Sequence, residues 1–222
     1  MSSTTTEATP SPRPGLFLVL EGVEGSGKSS QQALLSRRME GLGIPHLSVR
    51  EPGGTPAGEG ARAIVLDRNL SMTPETELLL YLAARAEFVR SVVRPALERG
   101  EIVLADRYEL STFAYQGIGR GLGLERVREL NNFATGGLRP DATFLLVLDS
   151  GVGKSRQLGE ADRLERESEV FHRTVAQAYD SLADTEPNVT RIAGDEPVQS
   201  VQEALWKELV TRWPDRFADG QR

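Results

Sequence analysis

The eight residues Gly22-Val23-Glu24-Gly25-Ser26-Gly27-Lys28-Ser29 constrain this chain more than any other segment. They fill the pattern G-x-x-x-x-G-K-[ST]. An apolar run (Leu16–Glu21) comes before them and a helical pattern after, which is the strand–loop–helix context such a loop requires. Glycines let backbone N–H groups curl inward onto phosphate oxygens, and the following helix adds the positive end of its dipole. Lys28 brings a cation to the β- and γ-phosphates, and Ser29 offers a hydroxyl to Mg²⁺. The residues expected to bind a nucleoside triphosphate are therefore Gly22, Val23, Glu24, Gly25, Ser26, Gly27, Lys28, Ser29 and Ser30. The bland alternative, a chance turn, does not explain the flanking strand and helix.

Beyond the loop, short apolar runs alternate with longer helical patterns. Leu16–Glu21, Leu47–Arg50, Ile102–Asp106, Thr143–Asp149 and Val189–Ile192 read as strands. Ser29–Gly41, Pro56–Asp67, Pro74–Glu98, Leu124–Phe133, Glu165–Leu182 and Val198–Trp213 read as helices. This alternation predicts an α/β fold of P-loop NTPase type: a five-stranded parallel sheet with helices on both faces. The strands read as apolar throughout, as strands covered on both sides should.

At 222 residues the chain suits one such domain, predicted over 15–214. Residues 1–14, rich in Ser, Thr and Pro, read as a disordered tail, and Asp215–Arg222 as a frayed end. No apolar run approaches the ~18 residues needed to span a bilayer, so no membrane partner is expected. The net charge of −6 argues against a nucleic-acid partner, since phosphate backbones recruit basic surfaces. With no cysteine, disulfides and thiolate metal sites are excluded, which suits the cytoplasm.

Parallel sheets bind ligands at the C-terminal ends of their strands. There the sequence puts the phosphate loop, Arg50-Glu51-Pro52-Gly53-Gly54, Asp106-Arg107, and a polar loop after Asp149. Arg50, Arg85 and Arg107 come from three separate elements and are candidates for a second, anionic substrate, because a guanidinium matches phosphate oxygens two at a time. Surface ion pairing is the plain alternative. Arg85 resists it, lying in the apolar stretch Leu78–Ala84, where a buried cation needs a partner. Tyr81, one turn earlier on the same face, is either core or a ring beside a nucleobase. Asp106 either holds Mg²⁺, together with Ser29, or orients Arg107.

The residues just quoted closely resemble those of the thymidylate kinase family, from about Leu16 to Trp213. The motifs are Leu20–Ser29, Arg50-Glu51-Pro52-Gly53-Gly54-Thr55, Tyr81-Leu82-Ala83-Ala84-Arg85, Asp106-Arg107-Tyr108 with Ser111-Thr112 and Ala114-Tyr115-Gln116-Gly117, Arg139-Pro140-Asp141 and Asp162-Arg163-Leu164-Glu165. The resemblance implies a nucleoside monophosphate kinase fold with a short lid, ATP and dTMP as partners, Mg²⁺ with ATP, dTDP as product for dTTP biosynthesis, and a homodimer.

It also assigns roles. Glu24 falls near the deoxyribose 3′-hydroxyl. Arg50, Arg85 and Arg107 fall on the dTMP phosphate or the transferred group. Tyr81 falls where a ring stacks on thymine, and Tyr115 where a ring excludes a ribose 2′-hydroxyl. Thr112 and Gln116 fall on the base edge, with Ser111 and Pro52 completing the dTMP site. The Glu51–Pro52 bond resembles the family's cis-proline turn, which re-aims Arg50.

The loop positions Val23, Glu24, Gly25 and Ser26 are not basic, so the chain resembles members that supply cations from the lid, read here as residues 150–163. Arg156 is the first candidate and Arg163 the second, with Lys154 also available; a merely solvated basic loop is the alternative. The lid also contains Gly151-Val152-Gly153-Lys154-Ser155, which imitates a second phosphate loop, but Leu148 stands where that pattern needs glycine. Two rival functions follow: a kinase for UMP, CMP or dUMP, and an ATP-binding module without catalysis.

Overall fold

A computed structural model describes residues 14–148 and 162–218. Five parallel strands, β1 (Leu16–Glu21), β2 (His46–Arg50), β3 (Ile102–Asp106), β4 (Ala142–Val147) and β5 (Val189–Ala193), form one sheet in the order β2-β3-β1-β4-β5. β1 lies at the centre, with Leu18 opposite both Leu104 of β3 and Ala142 of β4. The strand carrying the phosphate loop is thus flanked on both sides, and neighbouring strands diverge from it in opposite directions of the chain order. That is the topological switch point at which such sheets bind ligands.

Side-chain alternation along β1 divides the interior. Leu16, Leu18 and Leu20 join one core with Leu35 and Met39 of α1 (Lys28–Gly41) and Leu205, Trp206 and Leu209 of α8 (Val198–Arg212). Phe17 and Val19 join the opposite core with Phe88, Val89 and Val93. A third core gathers Leu78 and Leu82 of α3 (Pro74–Phe88) with Val127 of α6 (Leu124–Thr135) and Phe171, Val175 and Tyr179 of α7 (Glu169–Thr185). Each fully buried aliphatic or aromatic side chain contributes roughly 1.5–3 kcal/mol. α2 (Pro56–Leu66), α3 and α7 begin at Thr55, Thr73 and Ser168, whose hydroxyls accept from first-turn backbone N–H groups.

The structure departs from the sequence reading in four places. The edge strands β2 and β5 are not apolar throughout: Ser48 and Arg50 are exposed, and only Ile192 of β5 is buried. Edge position leaves them partly uncovered. The helix from Pro74 to Glu98 is continuous but widens to a π-turn at Val89–Val93, followed by α4 (Arg94–Glu98). Pro95 has no N–H for the regular ladder, which accounts for the bulge.

A helix absent from the periodicity runs as α5 (Glu109–Thr112) into a π-helical stretch Phe113–Gly119. Its Ser, Thr, Gly and aromatic residues are weak helix formers, and Phe113–Gly117 are buried all round, so no amphipathic period exists to be read. Finally, Pro214–Phe217 form a short helix, α9, where fraying is expected from Asp215 onward. Phe217 is fully buried against Trp206. No helix among the described residues is long and apolar enough to cross a membrane.

Candidate active site

The phosphate loop turns where only glycine fits. Gly22 has φ of 142°, and a Cβ there would lie 2.6 Å from the carbonyl oxygen of Leu146; Gly27, at φ 92°, is the left-handed residue that caps α1. That helix has no side-chain cap, so its first amides remain available to an anion. Lys28 is buried and donates to the carbonyl oxygens of Gly22 (3.0 Å) and Val23 (2.8 Å) and to Ser26 Oγ (3.3 Å). Burial, then the nearby Arg107 cation, push its pKa down to about 8.

Two cavities meet at this loop. The first, about 340 Å³, is lined by Glu24, Arg50, Pro52, Tyr81, Arg107 and Tyr115, among others. The second, about 630 Å³, lies between Gly25–Gln31 and Gly194–Val198. Gly25, Lys28 and Ser29 belong to both. At the junction Ser29 Oγ donates to Asp106 Oδ2 at 2.6 Å. A hydroxyl and a carboxylate converging beside a phosphate loop are hard oxygen donors of the kind Mg²⁺ takes, its remaining positions going to water and phosphate.

Arg107 has φ of 74°, a left-handed conformation rare for a side chain of this size, fixed by its N–H donating to the carbonyl of Leu20 (2.9 Å). The turn aims the guanidinium back across the cavity. It donates to Glu24 Oε1 (2.6 Å), the Gly22 carbonyl (3.0 Å), Ser111 Oγ (3.0 Å) and Tyr179 Oη (3.1 Å). Tyr115 Oη donates to the other Glu24 oxygen. Burial opposes ionisation of Glu24, but Arg107 and Lys28 outweigh it and hold the carboxyl below its ordinary range.

Arg85 is buried, as its apolar surroundings predict. It borders the cavity, yet it is committed to protein acceptors: Glu51 (2.9 and 3.0 Å), Asn131 Oδ1 (2.8 Å) and the Tyr108 carbonyl (2.9 Å). The partner demanded by its burial is Glu51, the residue next to Arg50, rather than open space. Arg50 is half exposed and pairs with Glu59 at 3.1 Å.

Thr112 is buried outside the cavity lining, while Ser111 and Gln116 are part of it. Tyr81 is both things at once, lining the cavity and packing on the third core. Gly22 and Val23 serve Lys28 through their carbonyls, while Ser26, Gly27 and Ser30 face the second cavity. Arg163 lies away from both cavities: its Nε donates to the Val65 carbonyl (2.8 Å), and Nη2 sits 2.7 Å from Glu77 Oε2 without hydrogen-bond geometry. Arg156, and most of the lid reading, fall outside the described residues.

The sequence alone assigns no role to several site residues. Arg62 and Asp162 line the first cavity. Glu21, at the end of an otherwise apolar strand, accepts from the backbone N–H groups of Tyr108 (2.8 Å) and Ser111 (3.1 Å), from Ser111 Oγ (2.6 Å) and from Tyr179 Oη (3.1 Å). A lone acid terminating β1 is the only hint of that role in the sequence. Tyr179, inside an amphipathic helix, gives none.

The family model for thymidylate kinase matches residues 20–205. The chain is 50% identical over 196 residues to the thymidylate kinase of Leifsonia xyli, covering 86% of this chain and 93% of that one. It is 48% identical over 200 residues to that of a Synechococcus strain (89% and 96% covered). To that of Deinococcus radiodurans it is 45% identical over 201 residues (89% and 98% covered).

Proposed function

Because the chain belongs to the thymidylate kinase family and transfers phosphate from ATP to dTMP, we propose that the transfer runs across the junction of the two cavities. The observation that carries this reading is their common floor: Gly25, Lys28 and Ser29 line both. ATP occupies the larger cavity with its phosphates on the amides of Gly25–Ser30. dTMP occupies the smaller one, its base beside Tyr81 and Gln116, its sugar against Tyr115 and Glu24, and its phosphate toward Arg50 and Arg107. The nucleotides thus lie head to head.

An oxygen of the dTMP phosphate attacks the γ-phosphorus. That P–O bond forms as the bond to the β–γ bridging oxygen breaks, and the bridging oxygen leaves on ADP with the electron pair. The acceptor is already an anion, so no base is needed, and alignment and charge neutralisation supply the catalysis. Lys28 leaves its own loop carbonyls for the phosphates. Arg107, held by Glu24 and Ser111, presents a fixed cation to the moving group. Ser29 and Asp106 are the residues that would hold Mg²⁺, which supplies charge neutralisation on the β- and γ-phosphates. Arg85 acts as a brace for the Glu51–Pro52 turn and not as a phosphate ligand. A lid cation is still needed; Arg156 is our candidate, since Arg163 is engaged with Glu77 and Val65.

We place the enzyme in the cytoplasm as a homodimer. Leu79 on α3 and Phe133 on α6, 58% and 83% exposed on adjacent helices, offer an apolar face for the second copy.

The test is ADP release from the purified chain with ATP, Mg²⁺ and a panel of monophosphates. We expect dTMP to give the highest kcat/KM and Lys28→Ala to abolish turnover. Preference for UMP or CMP, or full activity in the Lys28 variant, contradicts the proposal.

A further inference from the structure

We propose that Glu77 is a specificity-determining positioning residue: it fixes the Gln116 side-chain amide so that its carbonyl oxygen, and not its NH₂ group, is presented to the nucleobase. The inference rests on the reading of the first cavity as the monophosphate site.

Glu77 lies on α3, one turn before Tyr81, and is 1% exposed. Both of its oxygens are occupied by donors. Oε1 accepts from Gln116 Nε2 (2.7 Å) and Arg120 Nε (3.1 Å); Oε2 accepts from Arg120 Nη2 (2.9 Å) and lies 2.7 Å from Arg163 Nη2. The guanidiniums are themselves fixed. Arg120 also pairs with Glu167 (2.7 Å) and stacks on Phe171 at 4.5 Å, and Arg163 is tied to the Val65 carbonyl. Burial opposes the charge on Glu77, but these hydrogen bonds outweigh it and keep the carboxyl below its ordinary range.

A carboxylate surrounded in this way has no hydrogen to donate. The Gln116 group facing it at 2.7 Å must therefore be the NH₂. An amide has two ends, and Gln116 is 1% exposed and cannot turn to bulk water. With that NH₂ held on Glu77 through one N–H, we assign the opposite end of the amide, the acceptor oxygen, to the cavity that Gln116 lines beside Tyr81. A fixed acceptor favours a base carrying a ring N–H at that edge, as thymine and uracil do. It disfavours a base with a bare ring nitrogen there, as in cytosine, because two acceptors would meet in a desolvated site. Glu77 touches no substrate in this scheme; it acts through Gln116.

The test compares kcat/KM for dTMP and dCMP in the full-length enzyme and in Glu77→Gln. An amide at position 77 can donate as well as accept, so Gln116 is free to reverse. The dTMP:dCMP ratio should fall by about tenfold or more in Glu77→Gln. It should not change further when Glu77→Gln is added to Gln116→Met, which has no amide to orient. A merely structural Glu77 would lower both activities together and leave the ratio intact, and that result overturns the inference.

If Glu77→Gln does not fold, the unsubstituted enzyme still decides the matter. The Gln116 Nε2 protons should stay protected from solvent exchange and keep their NMR shifts when dTMP is added. Rapid exchange, or a large shift on binding, would show that the NH₂ group is not held on Glu77. Failure of the unsubstituted enzyme to favour dTMP at all would instead overturn the site reading, and this inference with it.

Discussion

Replacing Arg85 with methionine separates a brace from a substrate ligand. Its guanidinium makes hydrogen bonds to Glu51, Asn131 and Tyr108, and the side chains of Arg85 and Glu51 are 3% and 2% exposed. Removing one member of such a buried pair costs about 3–5 kcal/mol, because the other charge is left without a counter-ion. In a chain of this size that lowers the Tm by about 10 °C.

The loss should depend on pH in a defined sense. Burial already pushes the Glu51 carboxyl up to about 7 against the pull of Arg85; without the arginine it rises further. A carboxyl whose folded pKa is raised gives stability below its unfolded pKa that disappears as pH climbs through the folded one. The variant should therefore fall behind the parent from pH 7 upward, by about 1.4 kcal/mol per pH unit until its own new pKa is passed. Neutralising both partners, in Glu51→Gln with Arg85→Met, should restore most of the loss. Urea unfolding at pH 6, 7 and 8, with steady-state kinetics on the same preparations, measures all of this. The reasoning is refuted if Arg85→Met unfolds like the parent at every pH while its KM for dTMP rises tenfold or more, since Arg85 would then be a nucleotide ligand first.

Three further outcomes are expected. Lys28, depressed to about 8, should take up a proton when ATP phosphates arrive. ATP affinity should fall as pH rises above 8, and calorimetry in buffers of different ionisation enthalpy should register proton uptake there; a pH-independent affinity speaks against it. Tyr115→Ala removes the ring from the Glu24–Arg107 pair and should narrow the preference for deoxyribose over ribose monophosphates, read as a ratio of kcat/KM values; an unchanged ratio removes Tyr115 from sugar selection. Phe217→Ala should cost about 3 kcal/mol in chemical unfolding, whereas a frayed terminus would lose almost nothing.

The parts of this site that the sequence reveals are those written in contiguous residues. The phosphate loop follows from its own glycines, and Arg50, Asp106 and Arg107 from their places at strand ends. Partner choice does not show in the same way. Arg85 and Glu51 are 34 positions apart, and only the packed helix α3 shows that this arginine meets a carboxylate. Arg163 is drawn off by Glu77 for the same reason. The helix holding Tyr115 and Gln116 escapes periodicity because it is buried on every side and π-wound, so neither propensity nor amphipathicity marks it. Thr112 and Ser111 are adjacent and chemically alike; which of them faces the cavity is decided by the helical turn alone.

In the proposed complex two phosphorylated nucleotides lie head to head over Gly25, Lys28 and Ser29. Its most direct test is inhibition by a dinucleotide in which adenosine and thymidine are joined through a chain of phosphates. A single basin demands competition against both ATP and dTMP, and affinity about a hundredfold or more above that of either nucleotide alone. An inhibitor that competes with one substrate and leaves the other unaffected, with no gain in affinity from the linkage, contradicts the account.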